Sequence, residues 1–479
     1  MGDRAVPNEA LRALLAEAGW SGAELARRIN GVAAEAGLGP VSDRRAVSFW
    51  LTGRRPRAPV PELVAEALSR GLGRVVDVAD TGMGRPRRAA AAGTGLGNTD
   101  ARAHTGGNRK AAGPQDAVTS LNQLALPRGR RQVLAGGAYS LSLLAVPTWA
   151  AAAAGEDPVS RSWPQRGTER VTAGRLDAAE QMAWLFTGND SAFGGGYARG
   201  SLAAYLAYDI VPLLRAPAAP ALRTRLLSVA AQLAYRCGFM CFDDEQQGLA
   251  QRYYRTALDL AGQAGDPAAY AIALRAMSVQ ARSLGHRQHA VQLAEAAVAT
   301  SARKLTPMRQ AFLLGQVAVA EAASQDRATA LSALSAAERR VDQATSQTSP
   351  RPPTTRPPLP AAQELIGDYH RAALAHQQAA VRALLGDRPG AIAALQDSLR
   401  CRPPGERRSR AIITARLAEL RLTEGHLDQA VRTWHDFLDD YPYLKSGRVT
   451  TALKIMRSRL RPYAANPGAR DLLARAAAL

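Results

Sequence analysis

A turn residue followed five positions later by alanine recurs through the second half of the chain, and this repeat limits the fold more than any other sequence feature. The recurring turn positions are separated by 40, 40, 61 and 39 residues, and the long interval contains a Pro-rich stretch. Small side chains let two antiparallel helices pack closely, so this period predicts helix pairs that stack on one another. The turn positions are Glu245, Gly285, Gln325, Gly386 and Gly425, and the alanines are Ala250, Ala290, Ala330, Ala391 and Ala430.

Three of these turns resemble the turn and second helix of tetratricopeptide (TPR) repeats, although the period is longer than is usual in that family. The resemblance implies a TPR-like α-solenoid over residues 170–479, with the Pro-rich insert near 346–361, and a groove for a peptide or protein ligand. Aromatic residues make up only 5% of the chain, a composition typical of helices. A generic Ala-rich helical bundle is the alternative. The three turns are Leu284-Gly285-His286, Leu385-Gly386-Asp387 and Glu424-Gly425-His426.

Residues 1–78 predict a small helical domain of helix-turn-helix type, so the whole chain is expected to be all-α. Ser21 is a good N-cap for a helix that is predicted to end near Gly31. After an unusually long connection, Ser42 is a second candidate N-cap, and the helix that follows it closes at Gly53.

The second of these helices has the residue types that read DNA. Val47 and Trp50 have the spacing of a buried stripe, which leaves the opposite face for base edges. Arginine binds guanine O6 and N7, serine can meet a base, and phenylalanine can contact a thymine methyl group. Arginines beyond the helix can neutralise phosphates. We expect base contacts from Arg44, Arg45, Ser48 and Phe49, and phosphate contacts from Ser21, Arg54, Arg55 and Arg57.

The net charge supports an anionic partner without identifying it. The chain has a formal charge of +20, and only four of its 61 basic residues are lysines. Such a surface attracts polyanions, and arginine suits both phosphate and guanine recognition. Because an excess of arginine can also reflect the codon usage of a GC-rich genome, the interpretation rests on where the arginines lie.

The motifs GAELAR at 22–27 and VSFWLTGRRP at 47–56 resemble the helix-turn-helix of lambda-repressor-like (Xre-type) regulators. Together with EAGWS at 17–21 and FGGGYAR at 193–199, the arrangement is similar to a group of actinomycete regulators that join this domain to a TPR-like region. The resemblance implies a DNA-binding, homodimeric transcriptional regulator that represses sporulation or antibiotic production. A TPR scaffold or an exported TPR protein, with an N-terminal interaction module, is the alternative.

Two segments separate the predicted domains. Residues 79–129 are poor in large apolar side chains, which predicts a disordered linker. Residues 130–169 form an apolar connecting segment that we expect to dock on the C-terminal domain. Arg130-Arg131 resembles a twin-arginine export signal, but it follows a predicted folded domain, and Pro147 interrupts any spanning helix. We therefore expect a cytoplasmic protein that does not enter a membrane.

A glycine loop is the one further candidate site. Gly194, Gly195 and Gly196 precede Arg199, and N–H groups at a helix start can bind an acidic ligand or a peptide terminus. A flexible turn between helices is the alternative. Metalloprotease, Walker and serine-hydrolase motifs are missing, so we expect no enzyme, cofactor or metal site. Cys237 and Cys241 are predicted to be buried thiols.

Overall fold

The structure is a computed structural model, and within the part of the chain that it describes every regular element is a helix. This confirms the predicted all-α fold. No helix of this part combines the length and the apolar character that a bilayer crossing requires. The described residues are 6–35, 38–83, 114–126, 139–144, 146–153, 170–301, 305–347 and 369–479.

The chain divides into two compact units. Among the described residues, the first unit contains 6–83 and 139–144, and the second contains 114–126 and the residues from 146 onwards. The first unit has four α-helices, which are α1 (Glu9–Ala18), α2 (Gly22–Glu35), α3 (Arg44–Leu51) and α4 (Val60–Leu72), and a 3-10 turn at Leu141–Leu144.

Side-chain caps set the starts of the first three helices. The Ser21 hydroxyl accepts a hydrogen bond from the N–H of Glu24 at 3.2 Å, which confirms the predicted cap of α2. At α3 the prediction was wrong by one residue, because Asp43, not Ser42, accepts from the N–H of Ala46 at 2.7 Å. Helix α2 also continues beyond Gly31, since the buried Val32 extends its apolar stripe.

The second unit consists of helices that pack mainly against their neighbours in sequence. They are α5 (Pro114–Ala125), α6 (Trp149–Ala153), α7 (Ala173–Phe193), α8 (Gly195–Tyr205), α9 (Val211–Arg215), α10 (Pro220–Asp243), α11 (Gln247–Ala264), α12 (Pro267–Ser283), α13 (Arg287–Ser301), α14 (Pro307–Ala323), α15 (Arg327–Gln347), α16 (Arg371–Leu384), α17 (Arg388–Cys401), α18 (Arg407–Thr423), α19 (Leu427–Asp440), α20 (Gly447–Leu460) and α21 (Pro467–Ala477), with a π-helical turn at Leu206–Ile210 and 3-10 turns at Tyr441–Tyr443 and Arg461–Tyr463.

The predicted repeat is present as five successive helix pairs, from α10–α11 to α18–α19, in a solenoid-like stack. Each pair reverses direction at a residue with positive φ, and the repeat alanine lies in the crossing of its two helices with no exposed surface. Left-handed backbone lets the chain leave one helix and enter the next within three residues. The φ values are 58° at Glu245, 88° at Gly285, 69° at Gln325, 89° at Gly386 and 86° at Gly425.

The stack also makes contacts between helices that are far apart in sequence. Helix α7 packs against α18, and the N–H of Gly196 donates to the carbonyl oxygen of Lys445 at 2.8 Å. The N–H of Lys445 donates in turn to the carbonyl of Phe193, also at 2.8 Å. A simple solenoid touches only neighbouring repeats. In this unit the helices α7 and α8, which precede the five pairs, therefore meet the last pair and the segment that follows it.

The predicted linker between the two domains is shorter in the structure than the sequence suggests. Met83 is buried in the core of the first unit, and α5 packs against α11, so residues 79–83 and 114–126 of the predicted 79–129 linker are packed on the two units. Ala117 and Leu121 form an apolar stripe on α5 that explains this packing. The remaining linker residues 84–113 and 127–129, and the twin-arginine pair at 130–131, lie outside the described residues.

The predicted 130–169 connecting segment is divided between the two units. Leu141–Leu144 packs on α4, where the N–H of Leu141 donates to Glu66 at 2.8 Å. Helix α6 packs on α11, and the hydroxyl of Tyr270 donates to the carbonyl of Pro147 at 2.6 Å. Most of the Pro-rich insert, residues 348–361, lies outside the described residues. Cys237 and Cys241 are fully buried, as predicted.

The turn geometry predicts how glycine substitutions affect stability. A Cβ at Gly386 would contact nothing within 4 Å, so Gly386→Ala tests the left-handed backbone alone. We expect a loss of about 1–2 kcal/mol. Gly405→Ala is the control, because that glycine also has open space but no positive φ. Denaturant unfolding of the full chain, followed by circular dichroism, measures both, and equal stabilities of the two variants would contradict the prediction.

Candidate functional site

Helix α3 presents a polar, cationic face to solvent and an apolar face to the core. Val47 is fully buried and Trp50 is 6% exposed, whereas the Phe49 ring is 49% exposed. Arg44 and Arg45 point away from the core, and so does Ser48. The structure therefore places the four predicted base-contacting residues together on one exposed face.

Arginine pairing within the first unit is uneven. Most arginines outside α3 and the segment that follows it are matched by a carboxylate: Arg27 and Arg28 contact Glu24, and Arg74 lies 2.7 Å from Glu17. Arg70, which is partly buried, pairs with Glu35 and Glu66. Among the residues that the structure describes, no carboxylate is within ion-pair distance of Arg44, Arg45, Arg54, Arg55 or Arg57.

The positions of Arg44 and Arg45 are unfavourable for the helix itself. Both lie in the first turn of α3, where the helix dipole is positive and an acidic residue is preferred. A cation at that end costs about 0.3–1 kcal/mol. The carboxylate of Asp43 satisfies one backbone N–H but forms no ion pair with either arginine. Helix stability therefore does not explain these two arginines.

The chain leaves α3 through a tight turn that positions Arg54. Gly53 has φ of 97°, and a Cβ at this position would lie 2.0 Å from the carbonyl oxygen of Val6. The N–H of Arg54 donates to the carbonyl of Phe49 at 3.1 Å, and its guanidinium lies 5.4 Å from the centroid of the Phe49 ring. The structure thus joins a predicted phosphate contact to a predicted base contact through a cation–π interaction.

The long connection before α3 is fixed by a residue that sequence reasoning missed. The side-chain oxygen of Asn30 accepts from the N–H groups of Val41 and Ser42 at 2.9 and 3.0 Å. Its amide nitrogen donates to the carbonyl of Ser42 at 2.8 Å. These bonds join residues 11 and 12 positions apart, which is beyond the local side-chain-to-backbone patterns that a sequence indicates. Ser21, the remaining predicted phosphate contact, is exposed at the start of α2.

The glycine loop of the second unit binds the protein's own groups. The N–H of Gly195 donates to the Asp243 carboxylate at 2.9 Å, and that of Gly194 donates to the carbonyl of Asp190 at 3.0 Å. Arg199 lies 3.3 Å from Asp244. The third glycine, Gly196, uses its N–H for the bond to Lys445 described above. The N–H groups of the loop are thus occupied by groups of the protein itself, and an external acidic ligand at this loop stays a prediction.

Asp243 belongs to a buried charge cluster that joins the two ends of the stack. Asp190 and Asp243 are fully buried; Arg408 Nη1 lies 2.7 Å from Asp190, and Arg448 contacts Asp243 through Nε and Nη2 at 3.0 and 2.7 Å. Arg236 also faces Asp190, at 3.4 Å. Sequence reasoning missed the cluster because its partners are distant, Asp190 and Arg408 being 218 residues apart.

Charge pairing keeps Asp243 ionised in this interior. Burial by itself would raise the pKa of the Asp243 carboxyl, but the guanidinium groups of Arg408 and Arg448 outweigh it. The N–H of Gly195 acts in the same direction, and the pKa lies below its ordinary value. The cluster therefore holds the helix ends together at neutral pH.

The cluster predicts a pH-dependent stability. We expect Asp243→Asn to destabilise the protein by about 1.5–3 kcal/mol at pH 7, because it removes the buried carboxylate that pairs with the partly exposed Arg448 and accepts from the N–H of Gly195. A lowered folded-state pKa stabilises above the unfolded value of about 3.9, and this contribution disappears as the pH falls through the folded pKa. The stability difference between the native protein and the variant should therefore shrink in acid.

Denaturant unfolding at several pH values measures this difference. Asp397→Asn is the matched control, because Asp397 pairs with Arg400 on the surface and should contribute less than about 1 kcal/mol. Similar losses in both variants at pH 7, or a difference that does not change with pH, would show that the cluster does not stabilise the unit in this way.

Residues 11–84 match the family model described as the SP15 N-terminal domain. No curated protein matches the chain at a significant level. The matched range includes α2, α3 and α4 and extends to Met83, whose side chain completes the core of the first unit. The α3 face thus lies within a domain that is similar to a recognised family.

Proposed function

We propose that the first unit binds double-stranded DNA and that α3 is its recognition helix, which makes the protein a transcriptional regulator. The observation that supports this most is the set of five arginines on α3 and directly after it that have no carboxylate partner among the described residues. One of them, Arg54, packs on the exposed Phe49, so cationic and apolar contacts are available on the same face. A major groove offers both the negative potential and the thymine methyl groups that such a face can contact.

The side chains on the face of α3 have separate roles in this proposal. Arg44 and Arg45 reach base edges, where a guanidinium can bind guanine in bidentate fashion. The Ser48 hydroxyl donates within the helix to the carbonyl of Arg44 at 3.1 Å, so its oxygen remains an acceptor for a base amino group. Phe49 contacts a thymine methyl group.

A second set of groups binds the phosphate backbone. Arg54, Arg55 and Arg57 follow α3 and are exposed, and Ser21 lies at the N-terminus of α2, where backbone N–H groups also favour an anion. Phosphate contacts fix the register of a protein on DNA and carry no sequence information themselves. The affinity should therefore depend steeply on salt.

The resemblance to Xre-type helix-turn-helix regulators supports the finer part of the proposal. We propose a cytoplasmic homodimer that represses development or antibiotic production, since one small unit of this kind rarely provides enough affinity alone. The repeat unit would bind a peptide, protein or other ligand whose binding changes the affinity for DNA. An exposed phenylalanine beside an arginine also suits a protein interface, so a TPR scaffold remains the alternative function.

Two arginine variants test the DNA proposal. Full-length protein is used to enrich bound duplexes from a random-sequence pool, and the affinities for enriched and unrelated duplexes are then measured by fluorescence anisotropy at several salt concentrations. We expect Arg45→Ala to relax sequence preference by about 1–3 kcal/mol. Arg55→Ala should weaken all sequences similarly and reduce the salt slope by about 0.9.

Arg12→Ala is the matched control, because Arg12 is an exposed arginine of the same unit that pairs with Glu9 on α1. It should bind DNA like the unaltered protein. If no sequence is enriched, and neither Arg45→Ala nor Arg55→Ala differs from the control, the DNA proposal is wrong and the scaffold alternative is favoured.

A further inference from the structure

The interior of the second unit contains a cavity of about 280 Å³ whose walls are strongly cationic. The helices around it include α10, α12, α16, α18 and α20, so it lies where the ends of the stack meet. Glu406 is the only carboxylate among the described residues that line it. Five arginines line the cavity: Arg236, Arg275, Arg402, Arg408 and Arg448.

The positive charge of these walls exceeds the negative charge available to balance it. Asp190 pairs with Arg236 and Arg408, and Asp243 pairs with Arg448. Glu406 pairs with Arg402. Glu406 is also shared with His370, at 2.7 Å. Five guanidinium groups therefore face three carboxylates, which leaves a formal excess of two positive charges around a small cavity.

Among the five cavity arginines, Arg275 has the least compensation of its positive charge. Within the described part of the chain it has no carboxylate partner, and its Nε donates to the carbonyl of Phe312 at 3.1 Å. Its guanidinium lies 3.5 Å from the centroid of the Phe312 ring. Burial lowers the pKa of Arg275 to about 10, so the group is still cationic at neutral pH.

Several guanidinium donors in this wall are buried without a hydrogen-bond acceptor among the described residues. They are Nε and Nη2 of Arg236 and the Nε atoms of Arg402 and Arg408. Arg236 and Arg408 are each only 6% exposed. A buried charged donor without an acceptor is costly, so proteins normally satisfy such groups. An oxyanion in the cavity would supply the missing acceptors and offset the excess charge together.

Aromatic rings provide the rest of the wall. Arg408 lies 4.8 Å from the centroid of the Phe239 ring, and Arg448 lies 4.9 Å from that of Phe242. The Phe312 and Tyr369 rings pack at 5.1 Å. Binding sites for small molecules combine apolar and aromatic surface with a few polar groups in this way. The volume is close to the lower end of the range for such sites, about 300 Å³, and too small for a folded partner.

We propose that this cavity binds a small organic anion, with a carboxylate or phosphate group on the arginines and an apolar, ring-sized body against the aromatic wall. The inference deepens the ligand-sensing role proposed above and rests on that function only for its effect on DNA binding. Binding itself follows from the cavity alone. Because helices from both ends of the stack contribute arginines, an anion there would connect them further.

Calorimetry of the full-length protein tests the proposal with three probes of similar shape, benzoate, phenyl phosphate and benzamide. The first two carry an oxyanion on a ring, and benzamide is neutral. We expect at least one anionic probe to bind and to raise the melting temperature, with benzamide roughly tenfold or more weaker. Equal binding of all three probes, or no binding by either anion, would overturn the proposal. Both results are obtained with the unaltered protein, so they do not depend on whether a variant folds.

Variants locate the site. Arg275→Gln removes the least compensated charge and should weaken binding of the anionic probe by roughly tenfold to a hundredfold. Arg275→Lys should restore part of it. Arg400→Gln, which alters an exposed arginine on α17, is the control and should bind like the unaltered protein. Unchanged binding by a folded Arg275→Gln variant would place the anion elsewhere and contradict the assignment.

The same samples separate this inference from the proposed function. Anion binding that persists in a protein without affinity for DNA would refute the regulator proposal and leave the cavity assignment intact. DNA binding without any binding of the anionic probes would do the reverse. A peptide that ends in a free carboxylate and binds where neither small anion does would show that the groove takes a larger ligand than proposed.

Discussion

The second unit depends on two buried carboxylates, Asp190 and Asp243, that tie the ends of the helical stack together. Charged groups are removed from water only when partners and hydrogen bonds compensate them. Asp243 obtains these from Arg448 and from a glycine N–H, and Asp190 obtains them from Arg408. Since these partners come from α18 and α20, the interior exists only while the ends of the stack remain in contact. The cavity is a consequence of this closure.

The parts of the fold that could be predicted are those that local rules determine. A left-handed turn residue and an alanine five positions later fix a helix pair within one repeat, and Gly285 with Ala290 shows both features in the structure as the sequence suggests. The orientation of α3 is also local, because the spacing of Val47 and Trp50 decides which face is buried. The contacts that this face makes with DNA are still a prediction.

Long-range pairing could not be predicted. In a chain with this many arginines, no local pattern indicates that Arg408 is the partner of Asp190. The glycine loop illustrates the difference. Its residues suggest N–H groups that bind an anion, and the N–H of Gly195 does so, but the anion is Asp243 and not a ligand. The sequence shows the donor groups of this motif, but the carboxylate that they bind in the fold is supplied by a distant helix.

Pairing, and not composition, is what sets the arginines of the two proposed sites apart from the others. An excess that arises from codon usage would fall on paired and unpaired positions without preference. In the first unit, Glu24 and Glu17 match arginines elsewhere, whereas the five around α3 have no carboxylate in the described residues. The interior of the second unit shows the same imbalance around Arg275. At both sites the arginine side chains carry positive charge that no carboxylate of the described residues balances. An external anion is the simplest group that would balance it.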